Sequence, residues 1–105
     1  MTQLFQNQTN DTANTIETFY SNEGDSSITI TAFVGSNSSG VNHSYKAYIY
    51  DASGVTVAPI QPIKFITSNR GFHISSAMIG QEVPVGGSIR IESSNTSLSF
   101  SAVGI

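Results

Sequence analysis

The residues able to do acid–base or metal chemistry are few: His43, His73, seven carboxylates and no cysteine. No His-x-x-His, Glu-x-x-His or EF-hand spacing joins them, and without thiolates a zinc site would have to rest on two distant histidines. No metal site and no cofactor are expected. Glu23-Gly-Asp25 brings two carboxylates into one turn, yet a calcium ion typically wants about 6 to 8 oxygens, so the pair reads as solvated turn residues. Serines are abundant, but none stands in a Gly-x-Ser-x-Gly elbow and nothing in the spacing selects a histidine partner for one. Gly86-Gly87 lacks the helix start that lets amides and dipole converge on a phosphate; a β-rich run follows, so the glycines read as a turn. No catalytic residue is assigned, and the chain is expected not to be an enzyme.

What remains is a set of side chains suited to contact. Phe33, Tyr48 and Tyr50 fall on the parities opposite the expected core, where aromatic rings stack on sugars or pack on a partner protein; ordinary inter-sheet packing is the alternative. Leu4 and Phe5 are adjacent large apolar residues in an otherwise polar segment. They suit a neighbouring subunit, or they fold back on their own domain. These five residues are the candidate partner-binding set.

The elements that must position them are β-strands. Ile, Val and Thr make up 29 of 105 residues against two leucines, which favours pleated sheets over helices. Charged residues are only 10%, against a usual share of about 25%, and the polar surface is instead built from 17 Ser, 10 Thr, 8 Asn and 5 Gln. The net charge of −3 and four scattered cations, Lys46, Lys64, Arg70 and Arg90, argue against nucleic acid, whose binders neutralise several phosphates. No run approaches the roughly 18 apolar residues of a membrane span. The first residues have neither the basic end nor the apolar stretch of a signal peptide, so synthesis in a cytoplasm is expected.

Residues 1–14 are rich in Gln and Asn and read as an extended polar arm outside the core. From Thr15, short β-rich runs alternate with Gly, Asn, Ser and Asp at sandwich-like spacing. In the run from Ser27, Ile28, Ile30, Ala32 and Val34 share one face. From Asn42 to Tyr50, His43, Tyr45, Ala47 and Ile49 oppose Ser44, Lys46, Tyr48 and Tyr50. Pro59 and Pro62 break the ladder, leaving Val55–Val57 and Ile63–Thr67 as separate pieces at a sheet edge. Phe72 to Met78 reads as a half-buried strand. Ile89 and Ile91 point inward, as do Leu98, Phe100 and Ala102, and hairpins are expected at Asn22–Ser26 and Ser94–Thr96. The core is assigned to Ile28, Ile30, Val34, Ile89, Ile91, Leu98 and Phe100. The prediction is an all-β fold: one antiparallel two-sheet sandwich of about seven or eight strands spanning residues 15–105, with the arm in front of it.

Several segments carry a family likeness: Thr15-Ile-Glu-Thr-Phe-Tyr-Ser-Asn, Ile28-Thr-Ile-Thr-Ala-Phe, Tyr45-Lys-Ala-Tyr-Ile-Tyr-Asp, Ile79-Gly-Gln-Glu-Val-Pro-Val-Gly-Gly-Ser-Ile-Arg-Ile-Glu-Ser-Ser and Leu98-Ser-Phe-Ser-Ala-Val-Gly. In order and style the chain resembles small β-sandwich virion proteins of tailed bacteriophages that decorate or cement the capsid. The resemblance implies a non-enzymatic structural protein bound to the major capsid protein lattice or another virion protein, located in the virion after synthesis in the host cytoplasm. It also implies a homo-oligomer, the trimer being common among such proteins. Related segments occur in neck, tail and fibre-associated proteins. The rival of another class is a carbohydrate-binding module using Tyr48 and Tyr50.

Overall fold

The computed structural model describes residues 1–55, 58–69 and 71–105. Thr56 and Val57 of the expected Val55–Val57 piece, and Arg70 among the scattered cations, lie outside the described residues. Among the described residues nine strands follow one another: β1 (Thr2–Thr9), β2 (Glu17–Ser21), β3 (Ile28–Asn37), β4 (His43–Tyr50), β5 (Gln61–Ile66), β6 (Phe72–Ile74), β7 (Glu82–Val83), β8 (Ser88–Ser93) and β9 (Leu98–Gly104). They form two antiparallel sheets, one ordered β1-β9-β3-β6 with β7 also on β3, the other β2-β8-β4-β5. The chain is the all-β sandwich that its β-branched composition predicts.

The connections differ from the expected ones. β2 and β8 lie in one sheet, β3 and β9 in the other, so the chain crosses between sheets at Asn22–Ser26 and Ser94–Thr96 where hairpins were expected. Gly, Asn and Ser satisfy an arch as well as a tight turn, and crossing lets Ile89 and Ile91 face Leu98 and Phe100 from opposite layers. Three of the crossings use one device, a buried asparagine at the end of the strand. Asn10 donates to the Ile91 carbonyl at 2.8 Å and the Thr15 carbonyl at 3.3 Å, and accepts from Ser93 Oγ at 2.8 Å. Asn22 donates to the carbonyls of Val83 and Ser26, both at 3.0 Å, and accepts from the Gly24 amide. Asn37 donates to Ile66 at 3.0 Å and Val41 at 2.8 Å, and accepts from the Ser39 amide. Each side chain thus ties its own loop to another strand while meeting the hydrogen-bonding demand of a buried amide.

The polar arm is not an arm. β1 pairs with β9 from Thr2↔Gly104 to Thr9↔Ser99, with two register shifts. Phe5 is buried, its ring edge-on to Phe19 at 5.4 Å and to Phe33 at 6.1 Å, and Leu4 packs half-buried against the same core. An edge strand needs few apolar residues, because one of its faces and its outer backbone meet water.

The core is aromatic at its centre. Phe100 meets Tyr45 at 5.0 Å, Phe19 at 5.6 Å and Phe33 at 6.4 Å, surrounded by Ile30, Ile66, Ile89, Ile91 and Leu98. The alternation on β3 departs from the expected one. Ile30 opposes Gly104 but Ala32 opposes Val103, so Thr31 is the extra residue of a bulge. Beyond it the inward parity changes: Phe33, Gly35 and Asn37 are buried, while Ala32 is exposed and Val34 lies on the outer face. Of the seven residues assigned to the core, Ile30, Ile89, Ile91, Leu98 and Phe100 are there, Ile28 is partly buried against it, and Val34 is displaced by the bulge.

Candidate functional site: an apolar sheet edge

The five residues singled out for contact fall into two separate groups, Leu4, Phe5 and Phe33 at the core and Tyr48 with Tyr50 on an outer face, their rings edge-on at 6.2 Å. Phe5 and Phe33 are core residues and Leu4 packs at the core's rim, which removes the first two from any binding surface. Tyr48 and Tyr50 lie on the outer face of the β2-β8-β4-β5 sheet among cross-strand partners. Tyr48 is buried there, and its hydroxyl donates to Glu92 Oε1 at 3.3 Å. Burial first, then the Glu92 charge, raises its pKa and keeps the phenol protonated. Lys46 Nζ stands 3.8 Å from the same carboxylate, and the Arg90 guanidinium lies 4.0 Å over the Tyr50 ring. One Tyr50 face is therefore taken by a cation. The ladder consolidates β4 against β8, with the buried Tyr48 ring edge-on to Tyr50 at 6.2 Å.

The nucleophile and anion motifs are likewise occupied. Ser94 Oγ is 3.4 Å from His43 Nδ1 and also accepts the Ser44 amide at 2.9 Å, but no carboxylate among the described residues orients the imidazole. The Gly86 amide donates to the Asn22 carbonyl at 2.8 Å and the Gly87 amide to Pro84, so this loop is spent on backbone bonds. No group of three His, Asp or Glu among the described residues is arranged to hold a metal.

The feature left without an internal purpose is the lateral edge formed by β5 and β6, the outermost strands of the two sheets on one side. Phe65 pairs with Ser44, and Ile63 shares its parity, on the outer face of one sheet; Phe72 and Ile74 pair with Ser36 and Val34 on the outer face of the other. All four are more than half exposed, from 56% for Ile63 to 68% for Phe72. Between these two apolar shoulders run Lys64, paired with Tyr45, and His73, paired with Gly35. The backbone of β6 is open as well. Asn37 N–H donates to the Gly71 carbonyl and Ser75 N–H to Phe33, which directs residues 71, 73 and 75 toward β3 and turns the amides and carbonyls of Phe72 and Ile74 outward.

Polar contacts seal the core beneath the edge. Tyr45 Oη and His73 Nδ1 are 2.8 Å apart, and Ser75 Oγ donates to the buried Gln61 Oε1 at 2.6 Å. Burial pushes the Tyr45 phenol well above its ordinary value, so it stays protonated against the His73 ring. The His73 pKa is lowered, by desolvation and then by the Lys64 charge. The expected half-buried strand from Phe72 to Met78 is only three residues long: it ends at Ile74, and Met78 reaches the core from the turn that follows.

Sequence reasoning places Ile63–Thr67 at an edge through its prolines but leaves Ile63, Phe65, Phe72 and Ile74 out of the contact set. The signal is there in Ile63-Lys64-Phe65, where a lysine parts the apolar residues on a proline-broken strand. Comparison with known protein families, curated proteins and solved structures finds no match to this chain.

Proposed function

We propose that the protein is a non-enzymatic structural part of a tailed-phage virion, of the capsid decoration or cement type, that binds other protein through the β5–β6 edge. The observation that carries the binding reading is the set of four large apolar side chains flanking one open edge, a place where sandwiches ordinarily put charges, prolines or bulges to prevent pairing. β5 has Pro62, Lys64 and a register shift, whereas β6 has none of these. The virion assignment draws on the sequence resemblance, above all Val83-Pro-Val-Gly-Gly-Ser-Ile-Arg-Ile, which here is the loop and strand that carry β8 into the sheet.

The test is co-sedimentation of the purified chain with empty capsids and whole particles, beside a panel of bacterial surface glycans. The parent protein sediments with particles, and Phe65→Asp and Phe72→Asp, both at exposed positions, lose most of that binding while keeping their melting temperature. Failure to bind particles, or glycan binding indifferent to both substitutions, refutes the reading.

A further inference from the structure

The β5–β6 edge differs from the rest of the chain in charge. From Ala52 to Gln81 there is no carboxylate, while Lys64 and Arg70 fall within that stretch. Before Lys46 there is no lysine or arginine, while Asp11, Glu17, Glu23 and Asp25 fall there. Among the described residues Lys64 lies on the β5–β6 side, with Glu82 farther along that flank on β7, while Asp11, Glu17, Glu23 and Asp25 lie on the β1–β2 side. β2 and β5 are the outer strands of one sheet, three strand spacings of about 4.8 Å apart, and β1 and β6 are the outer strands of the other. Phe5 against Phe19 places β1 and β2 on one lateral side, and Gln61 against Ser75 places β5 and β6 on the opposite side.

Along the β1–β2 side the carboxylates bracket β2. Glu17 begins the strand, and its two oxygens accept the amides of Asp11 at 2.7 Å and Thr12 at 3.2 Å, which sets Asp11 beside it. Glu23 and Asp25 are exposed in the loop that leaves the strand. On the β5–β6 side Lys64 is exposed and makes no ion pair among the described residues, whereas Lys46 stands against Glu92 and Arg90 over Tyr50. Apolar surface accompanies the charge on both sides: Ile63, Phe65, Phe72 and Ile74 on one, and Ile16, 38% exposed, with half-buried Tyr20 on the other.

We propose that the protein associates with itself head to tail, the cationic β5–β6 edge of one copy docking on the acidic β1–β2 edge of the next. The inference rests on the reading of the β5–β6 edge as a protein-binding surface and names a second copy of this chain as its occupant. Both complementary surfaces stand on the same molecule. Pairing two β5–β6 edges would set Lys64 against Lys64, and pairing two β1–β2 edges would gather the carboxylates, so like charge opposes the symmetric dimers and favours the heterologous contact.

The experiment is sedimentation velocity of the full chain from micromolar to millimolar concentration, at low and at high salt. The parent chain grows in mass with concentration, and more weakly in high salt, because exposed charges are screened. Lys64→Glu disables the head, and Glu23→Lys with Asp25→Lys disables the tail. Each variant alone stays monomeric at concentrations about tenfold above those at which the parent associates. Their equimolar mixture associates again, because the intact head of one meets the intact tail of the other and the reversed charges of the two disabled surfaces are complementary as well. Melting curves verify the folds, and Phe65→Ser for the head or Asp11→Lys for the tail replaces a variant that fails to fold.

A parent chain that is monomeric throughout overturns the proposal, as does association unaffected by Lys64→Glu, or a tail variant that still dimerises alone. The two readings fail separately. A monomeric parent that binds particles through Phe65 and Phe72 leaves the edge as a surface for another chain, and a self-associating parent that ignores particles overturns the virion reading alone.

Discussion

Replacing Phe5 by Ala tests whether the first nine residues belong to the domain. The side chain is 5% exposed on an edge strand, with Phe19 and Phe33 packed edge-on to it. Deleting a buried phenylalanine side chain typically costs about 3 to 5 kcal/mol, and here both edge-to-face ring pairs disappear with it. The lower end applies, because β1 is held on one side only, by β9, and can close part of the space. A loss of about 3 kcal/mol in a domain of this size lowers the melting temperature by roughly 12 to 20 °C. Calorimetry and urea unfolding read it directly: the urea midpoint falls while the slope holds, since the surface exposed on unfolding is nearly unchanged. Gln6→Ala, at the exposed neighbour, serves as control and stays within about 0.5 kcal/mol. If Phe5→Ala costs under about 1 kcal/mol, or if removing residues 1–9 leaves the melting temperature unmoved, β1 is not a working part of the sandwich.

Gly35→Ala places a Cβ 2.8 Å from Phe100 Cε1 and 3.2 Å from Ile66 Cδ1, so overpacking costs about 1 to 3 kcal/mol in urea unfolding; a neutral result means that the central ring moves freely. Asn37→Ala removes a donor from the carbonyls of Ile66 and Val41, the latter keeping Ser39 Oγ, and a loss of about 1 to 3 kcal/mol is expected, with faster amide exchange in residues 38–42 as the local signature. Because the folded pKa of His73 lies below its ordinary 6.5, the folded state binds fewer protons than the unfolded one. The contribution of His73 to stability is therefore whole above the unfolded pKa and is lost as pH falls through the folded one. His73→Gln flattens that part of the pH–stability curve, and an acid limb identical in parent and variant contradicts the assignment.

The strands with an uninterrupted period of two were legible. Ile89 and Ile91 on β8, and Leu98, Phe100 and Ala102 on β9, point inward as alternation requires. β3 was legible as a strand but not in its facing, because one extra residue at Thr31 shifts every later side chain, and a count by twos carries the wrong parity past it. β1 escaped notice because its apolar content is so low: Leu4 and Phe5 suffice for an edge strand, and no composition rule separates such a strand from a polar tail. Sheet membership was not legible at the crossings, since Asn22 and Asn95 do equally well in arches and in hairpins. The candidate edge was half legible. Pro62 announced an edge, but the exposure of Phe65 and Phe72 depends on which strands end up outermost, a property of the whole topology.

The three buried asparagines set how the molecule ages. Hydrolysis of a side-chain amide turns the nitrogen that donates to two carbonyls into a carboxylate oxygen facing them, a buried charge with repulsion where there had been two hydrogen bonds. Deamidation at Asn10, Asn22 or Asn37 would thus undo a connection between the layers, whereas the same event at exposed Asn69 would add a charge at the surface, where water solvates it. Those same hydrogen bonds hold each buried amide in place and out of water, away from the attack that would convert it. At these three loops the amide is shielded for as long as the fold around it stays closed.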